Sequence, residues 1–254
     1  MQEKNTITRN YLSSPERFAQ IFNVAVFQGE PIIDPRKLKS LDSTESTILE
    51  NLHNELTSRQ KSAEKPYSAF EYYRDIIKKY DDKTLLIICG IENQNKIHYT
   101  MPLRHMLYDS LQYYSQWQGL KREHRKKKDL CGAEYLSGFS SEDRLIPVIT
   151  LCVYWGTEPW TGPKNLHEML DIPPQLEHHK DRLIGNYPLN LLEIQDIPDL
   201  DQYEGDLKAL FGFLKHQEDQ IALKSFIAKN DALFHDINDE TTQAISILGN
   251  IKRC

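Results

Sequence analysis

The run Leu85-Leu86-Ile87-Ile88-Cys89-Gly90-Ile91 is apolar on both faces of an extended chain and ends in Glu92-Asn93-Gln94. A strand without a polar face has to be covered on both sides, so this run predicts a central strand of a layered sheet. The carboxylate at its end sharpens the constraint. A charged Glu closing such a run is costly unless it is paired, hydrated or bound to a cation.

The surrounding pattern is that of an α/β protein. Ser13-Ser14-Pro15-Glu16 offers a cap and a first-turn proline, and Phe18, Ile21, Phe22, Ala25 and Val26 recur at helical spacing within 5–27. Residues 32–41 read as mixed strand and turn, and 42–69 as an exposed loop or a short surface helix over 47–59. Phe70 to Lys79 and Leu85 to Ile91 flank the polar turn Tyr80-Asp81-Asp82-Lys83 and predict a strand hairpin. Pro102 opens a helix over 102–120, with the basic run Lys121 to Lys128 after it. Leu145 to Gly156 is a second buried strand begun near Pro147, and Leu189 to Ile194 a further short one. A helical turn is expected over 165–170. From about residue 201 the periodicity is helical only: Tyr203, Leu207, Leu210, Phe211, Leu214, then Ile221 to Ile227, then Thr241 to Ile251. The expected division is a core domain over 1–200 and a helical region over 201–254 packed on or beside it.

Composition excludes several classes. Charged residues make up 27% and hydrophobic ones 39%, as in an ordinary globular core, and the net charge of −6 rules out a global basic field. Cys89, Cys131, Cys152 and Cys254 form no CxxC pair, which argues against a zinc ribbon, and Cys89 and Cys152 sit in apolar runs as small buried hydrophobes. No apolar stretch approaches the ~20 residues of a membrane span, and the N-terminus has no hydrophobic signal region, so a cytoplasmic protein without membrane contact is expected.

Asp75 lies seventeen residues before Glu92. On adjacent strands of a hairpin, with strands ~4.8 Å apart, the two carboxylates come side by side. Such a pair suits magnesium, which takes one or two protein carboxylates and keeps several waters; the Asn93 backbone carbonyl would add a third oxygen. Spacing alone leaves the alternative open that Asp75 is a surface charge and Glu92 a strand cap paired with Lys or Arg.

The segment Asp75…Gly90-Ile91-Glu92-Asn93-Gln94, followed by His98-Tyr99-Thr100-Met101-Pro102-Leu103-Arg104-His105-Met106-Leu107-Tyr108-Asp109, resembles the recombination-promoting nuclease and transposase (Rpn) family of the PD-(D/E)XK nuclease superfamily. Pro147 to Gly156, Glu158-Pro159-Trp160 and Leu166 to Leu170 resemble its next block, and the likeness runs over about residues 5–250. The resemblance implies a restriction-endonuclease-like core, a mixed central sheet flanked by helices with a helical C-terminal region. It implies a metal-dependent DNA endonuclease using Mg2+, with Mn2+ as a substitute, and no organic cofactor. Asp75 and Glu92 then stand for the motif acids, with Asn93 as the third metal ligand. Gln94 replaces the superfamily lysine and Arg74 the motif proline. Gln94 keeps a hydrogen-bond donor but loses the charge.

Around this centre, Glu16 is a further catalytic candidate, or simply a first-turn acid favoured by the helix dipole. Asn23 is a weaker one. Arg104, Tyr108 and Gln112 share one helix stripe, either a phosphate-facing surface or an ordinary polar face. Lys121, Arg122, Arg125, Lys126, Lys127 and Lys128 form the one dense basic patch, able to contact DNA phosphates or to cap a helix end. A homodimer is expected, since cutting both strands from a single site per chain takes two copies. The alternative is a non-catalytic DNA-binding or assembly module that keeps the nuclease fold, motivated by Gln94 and the acidic net charge.

Overall fold

The computed structural model describes residues 2–41, 75–82 and 85–249. The surface helix expected over 47–59, the expected strand residues 70–74 with Arg74, and Cys254 lie outside these. Five strands form one sheet in chain order: β1 (Leu38–Ser40), β2 (Ile76–Asp81), β3 (Leu86–Gln94), β4 (Val148–Tyr154) and β5 (Asn190–Glu193). The first three pair antiparallel, and β3, β4 and β5 pair parallel. The sheet is therefore open and mixed, with β3 at its centre, as an apolar run without a polar face requires. Residues 87–93 of β3 are buried without a break.

Parallel neighbours cannot be joined by a tight turn, and the chain crosses from β3 to β4 through a long helix, α3 (Met101–Lys127). It runs seven residues beyond the expected end at 120. The basic run is thus the last two turns of α3 rather than a segment after it. Lys and Arg are good helix formers, and cations in a last turn favour the helix dipole. Lys128 closes the helix in the left-handed region (φ 54°), its N–H donating to His124 O at 2.7 Å. β4 and β5 follow the hydrophobic pattern with trimmed ends, whereas β2 runs two residues into the expected turn, to Asp81, and β3 three residues past Ile91, to Gln94. In β4 the sheet starts after Pro147, whose carbonyl accepts from Ile88 N at 2.9 Å.

Alternation along the strands gives the sheet two different faces. On one, Ile87, Cys89 and Ile91 meet Leu151, Val153 and Leu192, and the helices covering them come from both ends of the chain. These are α1 (Gln2–Leu12), α2 (Pro15–Ile21), α7 (Gly205–His216) and α10 (Asp239–Leu248). The helical region after 201 thus shares one hydrophobic core with the sheet and with the N-terminal helices, through Leu207, Leu210, Phe211, Ala244 and Leu248. A polar strut ties the two ends together: Arg17 donates to Glu240 at 2.6 Å and to Asp206 at 3.0 Å, and Tyr11 bonds Thr241 at 3.1 Å. The other face is covered by α3 and carries smaller apolar clusters, Ile77, Ile88 and Val148 in one and Met101, Cys152, Tyr154 and Trp160 in another.

The helical pattern at 5–27 breaks at Ser13. Ser14 caps α2, and after Ile21 the chain widens into a π-helical turn over Phe22–Val26. Asn23 clamps the returning chain there, donating to Ile33 O at 3.0 Å and accepting from Ile33 N at 2.8 Å. A short helix α4 (Gly132–Ser137) precedes β4, and α5 (Pro174–Glu177) and α6 (Lys180–Leu183) lie between β4 and β5. Residues 167–169 form the expected single turn. Among the described residues no helix is long and apolar enough to cross a membrane.

The C-terminal helices make a sharp packing demand at Gly212. A Cβ there would lie 2.0 Å from the Phe226 ring of α8 (Gln220–Lys229), which also stacks edge-on against Phe234 of α9 (Asp231–His235). Gly212→Ala gains about 1 kcal/mol of helix propensity, but an approach of 2.0 Å puts the overpacking at the upper end of the usual range, about 3 kcal/mol. The expected outcome is a lower urea midpoint, restored when Phe226→Leu is added; an unchanged midpoint in the single variant contradicts the close approach.

Candidate active site

The β2–β3 register pairs Ile76 with Ile91. One step further along the same antiparallel register sets Asp75 opposite Glu92. Opposed residues in such a pair have Cβ atoms about 4.5–5.5 Å apart and point to the same side. Both share the parity of Ile77 and Ile88, so they face α3. The Asp75 carboxylate folds back over the strand end, and its Oδ2 accepts from the Asn93 backbone N–H at 2.7 Å. By strand geometry the Asn93 carbonyl lies on that same strand edge.

Glu92 is 3% exposed. Its Oε1 accepts from Arg104 Nη2 at 2.6 Å and from Gln94 Nε2 at 3.2 Å. Arg104 is itself held in place: the Tyr108 hydroxyl accepts from its Nη2 at 2.7 Å and from its Nε at 3.2 Å. Pro102 and Thr100 start α3 just after β3, which brings residue 104 back over the strand end. Burial pulls the Arg104 pKa down, but Glu92 and Tyr108 outweigh it and hold the guanidinium charged. Burial pushes the Asp75 pKa above its usual value, with the Asn93 amides, Arg9 and Arg104 pulling partly the other way. The Asn93 side-chain amide contributes there short of a well-formed hydrogen bond, since its Oδ1 is fixed by Trp155 Nε1 at 2.9 Å.

Glu92 is thus paired directly with the Arg104 guanidinium, and Asp75 feels the same charge at longer range in a desolvated corner. The donor set is hard oxygen, which matches a divalent cation such as magnesium. Among the described residues no group of three His, Cys, Asp or Glu converges. A cation held here would take Asp75, Glu92, the Asn93 carbonyl and waters, a composition that magnesium accepts.

The other expected site residues fall in three places. Gln94 is in the centre, on the same carboxylate oxygen as Arg104. Glu16 is not in it: α2 packs on the opposite sheet face, Lys78 of that face lies over the Phe18 ring, and Glu16 is exposed, with Ser14 Oγ donating to it at 2.7 Å. That hydroxyl, foremost, holds the Glu16 carboxyl below its usual range. The stripe Arg104, Tyr108, Gln112 turns toward the sheet rather than outward. Tyr108 is fully buried, so it positions Arg104 and does not reach nucleic acid, and Gln112 is half-buried. Arg122, Arg125, Lys126, Lys127 and Lys128 are exposed and Lys121 is half-buried, all at the far end of α3.

A second buried acid on α3 lies outside the expected site residues. Asp109 is 2% exposed; Thr150 Oγ1 of β4 donates to it at 2.6 Å, and the Tyr187 hydroxyl donates to its other oxygen. The signal was present, because Asp109 falls four residues after His105 on the sheet-facing side of the helix. Comparison with protein-family models, with curated proteins and with solved structures finds no match.

Two outcomes are expected. Arg104→Ala leaves Glu92 buried without its guanidinium and lowers unfolding free energy by about 3 kcal/mol, read from urea denaturation; adding Glu92→Gln recovers most of it. A loss below about 1 kcal/mol would mean the pair is not a buried one. The second concerns Asp75. Its folded pKa is raised, so its ionisation favours the unfolded chain, and the stability it costs appears as pH rises from 3.8 through the raised value. Asp75→Asn keeps an acceptor for Asn93 N–H and is expected to raise the urea midpoint at neutral pH, with the gain vanishing below pH 3.8. Equal midpoints at both pH values would contradict the buried charge.

Proposed function

We propose that this protein is a metal-dependent endonuclease that hydrolyses DNA phosphodiesters, on a restriction-endonuclease-like core of the kind its sequence resembles in the Rpn family. The observation that carries the reading is the placement of Asp75 opposite Glu92 at the end of the central strand pair, with Gln94 two residues on. The open mixed sheet with helices on both faces agrees with such a core. Asp75, Glu92 and the Asn93 carbonyl are the residues to hold the cation, which supplies Lewis acidity at the phosphoryl oxygen and lowers the pKa of a bound water.

The chain's own residues do the rest. Arg104 pairs with Glu92 and fixes one of its oxygens, as Tyr108 fixes Arg104. Gln94 Nε2 presents a neutral donor beside that oxygen, where it can orient the attacking water or a phosphate oxygen. Asn93, locked by Trp155, holds Asp75 through its backbone N–H. With one such site per chain, cutting both strands takes two copies. The Arg104–Glu92 ion pair also favours a second reading, a non-catalytic DNA-binding module in which a guanidinium takes the place of the metal.

Plasmid nicking separates the two. With Mg2+ the wild type is expected to relax supercoiled DNA and to stop with EDTA. Asp75→Ala and Glu92→Ala are each expected to lose at least about 100-fold, since the cation contributes several kcal/mol to the transition state. Nicking that survives both substitutions overturns the proposal. DNA binding with neither nicking nor divalent-metal binding by calorimetry establishes the second reading.

A further inference from the structure

The far end of α3 carries a surface that the acid pair does not use. There α3 and α4 enclose a groove of about 620 Å³ lined by Lys121, Arg125, Lys128, Leu130, Tyr135 and Leu136. Tyr135 is 69% and Leu136 83% exposed. Large apolar side chains that exposed are unusual beside a cluster of cations, and here they sit on one rim of the groove with the basic residues on the other.

The groove is built rather than incidental. His124 bridges two carboxylates, Asp129 at 2.8 Å through Nδ1 and Asp143 at 2.9 Å through Nε2, which straps the segment bearing α4 onto α3. Trp117 Nε1 donates to Ser137 O at 3.1 Å, and Lys121 lies over the Trp117 ring at 4.9 Å. Gly138 adopts φ +66° and lets Lys121 pass, since a Cβ would sit 2.5 Å from the lysine Cγ. The strap consumes acids: Asp143 is engaged by His124 and Ser140, and Glu134 by Ser140 and Ser141. Arg125 and Lys128 stay exposed.

We propose that this groove docks single-stranded DNA, phosphates on Lys121, Arg125 and Lys128 and an unpaired base on the Tyr135 ring. The choice of DNA rests on the nuclease reading; the choice of a single strand rests on the groove. Positive charge against an acidic chain total of −6 selects a polyanion. An exposed ring beside the charges selects one whose base faces are free, because in a duplex those faces are stacked away while in a single strand they pack on aromatics. Lys121 follows Arg104 by seventeen residues on the same helix, so groove and acid pair lie about 25 Å apart at 1.5 Å per residue. A strand gripped here is held at a fixed offset from the place where the backbone would be cut.

Fluorescence anisotropy in EDTA tests this without any demand on cleavage, using the full chain, a dye-labelled mixed-sequence single strand, its duplex, and an RNA of the same sequence. The single strand is expected to bind more tightly than the duplex. Tyr135→Ala, at an exposed position, is expected to weaken single-strand binding by about 5- to 100-fold and duplex binding little. Arg125→Gln and Lys128→Asn, the latter tolerant of the left-handed backbone, are each expected to make the salt dependence shallower by about 0.7 in log–log slope. Equal affinity for duplex and single strand, binding unchanged in all three variants, or a preference for the RNA overturns the proposal. Because no metal is present, a failure of the nuclease reading leaves this result legible, and a failure here leaves nicking to be judged on its own.

Discussion

The ion pair between Glu92 and Arg104 is the contact on which the architecture turns. Glu92 is fixed in the middle of the sheet because β3 is its central strand, and a carboxylate there is sustained only with a compensating charge. The compensation comes from the helix that the parallel β3–β4 connection obliges the chain to make. Arg104 sits in the first turns of α3, over the strand end it has just left, and Tyr108 one turn later fixes its guanidinium. Topology and electrostatics therefore specify each other: the crossover delivers the cation, and the cation permits the acid.

The two faces of the sheet divide the work. The face under α1, α2, α7 and α10 holds the larger apolar cluster and recruits both chain ends, so it supplies most of the hydrophobic stabilisation. The face under α3 carries the buried acids: Glu92 with Arg104 and Tyr108, then Asp109 with Thr150 and Tyr187. Concentrating buried polar groups under one helix makes that helix costly to shift, because each group loses a partner if it moves. A rigid mount of this kind suits a site that must hold two carboxylates in register.

Much of this was written in the pattern of the chain. The central strand, the second buried strand closed by Gly156, and the hairpin that sets Asp75 beside Glu92 follow from apolar runs and turn residues. Ser14 and Pro15 announced the start of α2. What the pattern hid has identifiable causes. The end of α3 is hidden in the pattern because a run of Lys and Arg reads equally as a helix end or as exposed helix, and the dipole that resolves it acts only once the helix exists. Glu16 shares a polar, first-turn signature with many helix acids, and which sheet face its helix covers is a tertiary fact. The stripe Arg104, Tyr108, Gln112 was correctly a stripe, but periodicity fixes its relative phase and not whether it looks inward. Tyr108 looks inward because the strand beneath offers a charged partner for Arg104.

The neutral Gln94 looks different once Arg104 is in place. Oε1 of Glu92 already accepts a guanidinium at 2.6 Å, and Gln94 donates to that same oxygen at 3.2 Å. A lysine at 94 would bring a second cation to a carboxylate already paired with Arg104. A neutral donor satisfies the oxygen without that repulsion. The strand thus carries a neutral donor two residues after Glu92, and the helix carries the cation twelve residues after it. In this chain the charge partner of the central acid is carried by α3, so whatever displaces α3 also alters the charge of the site.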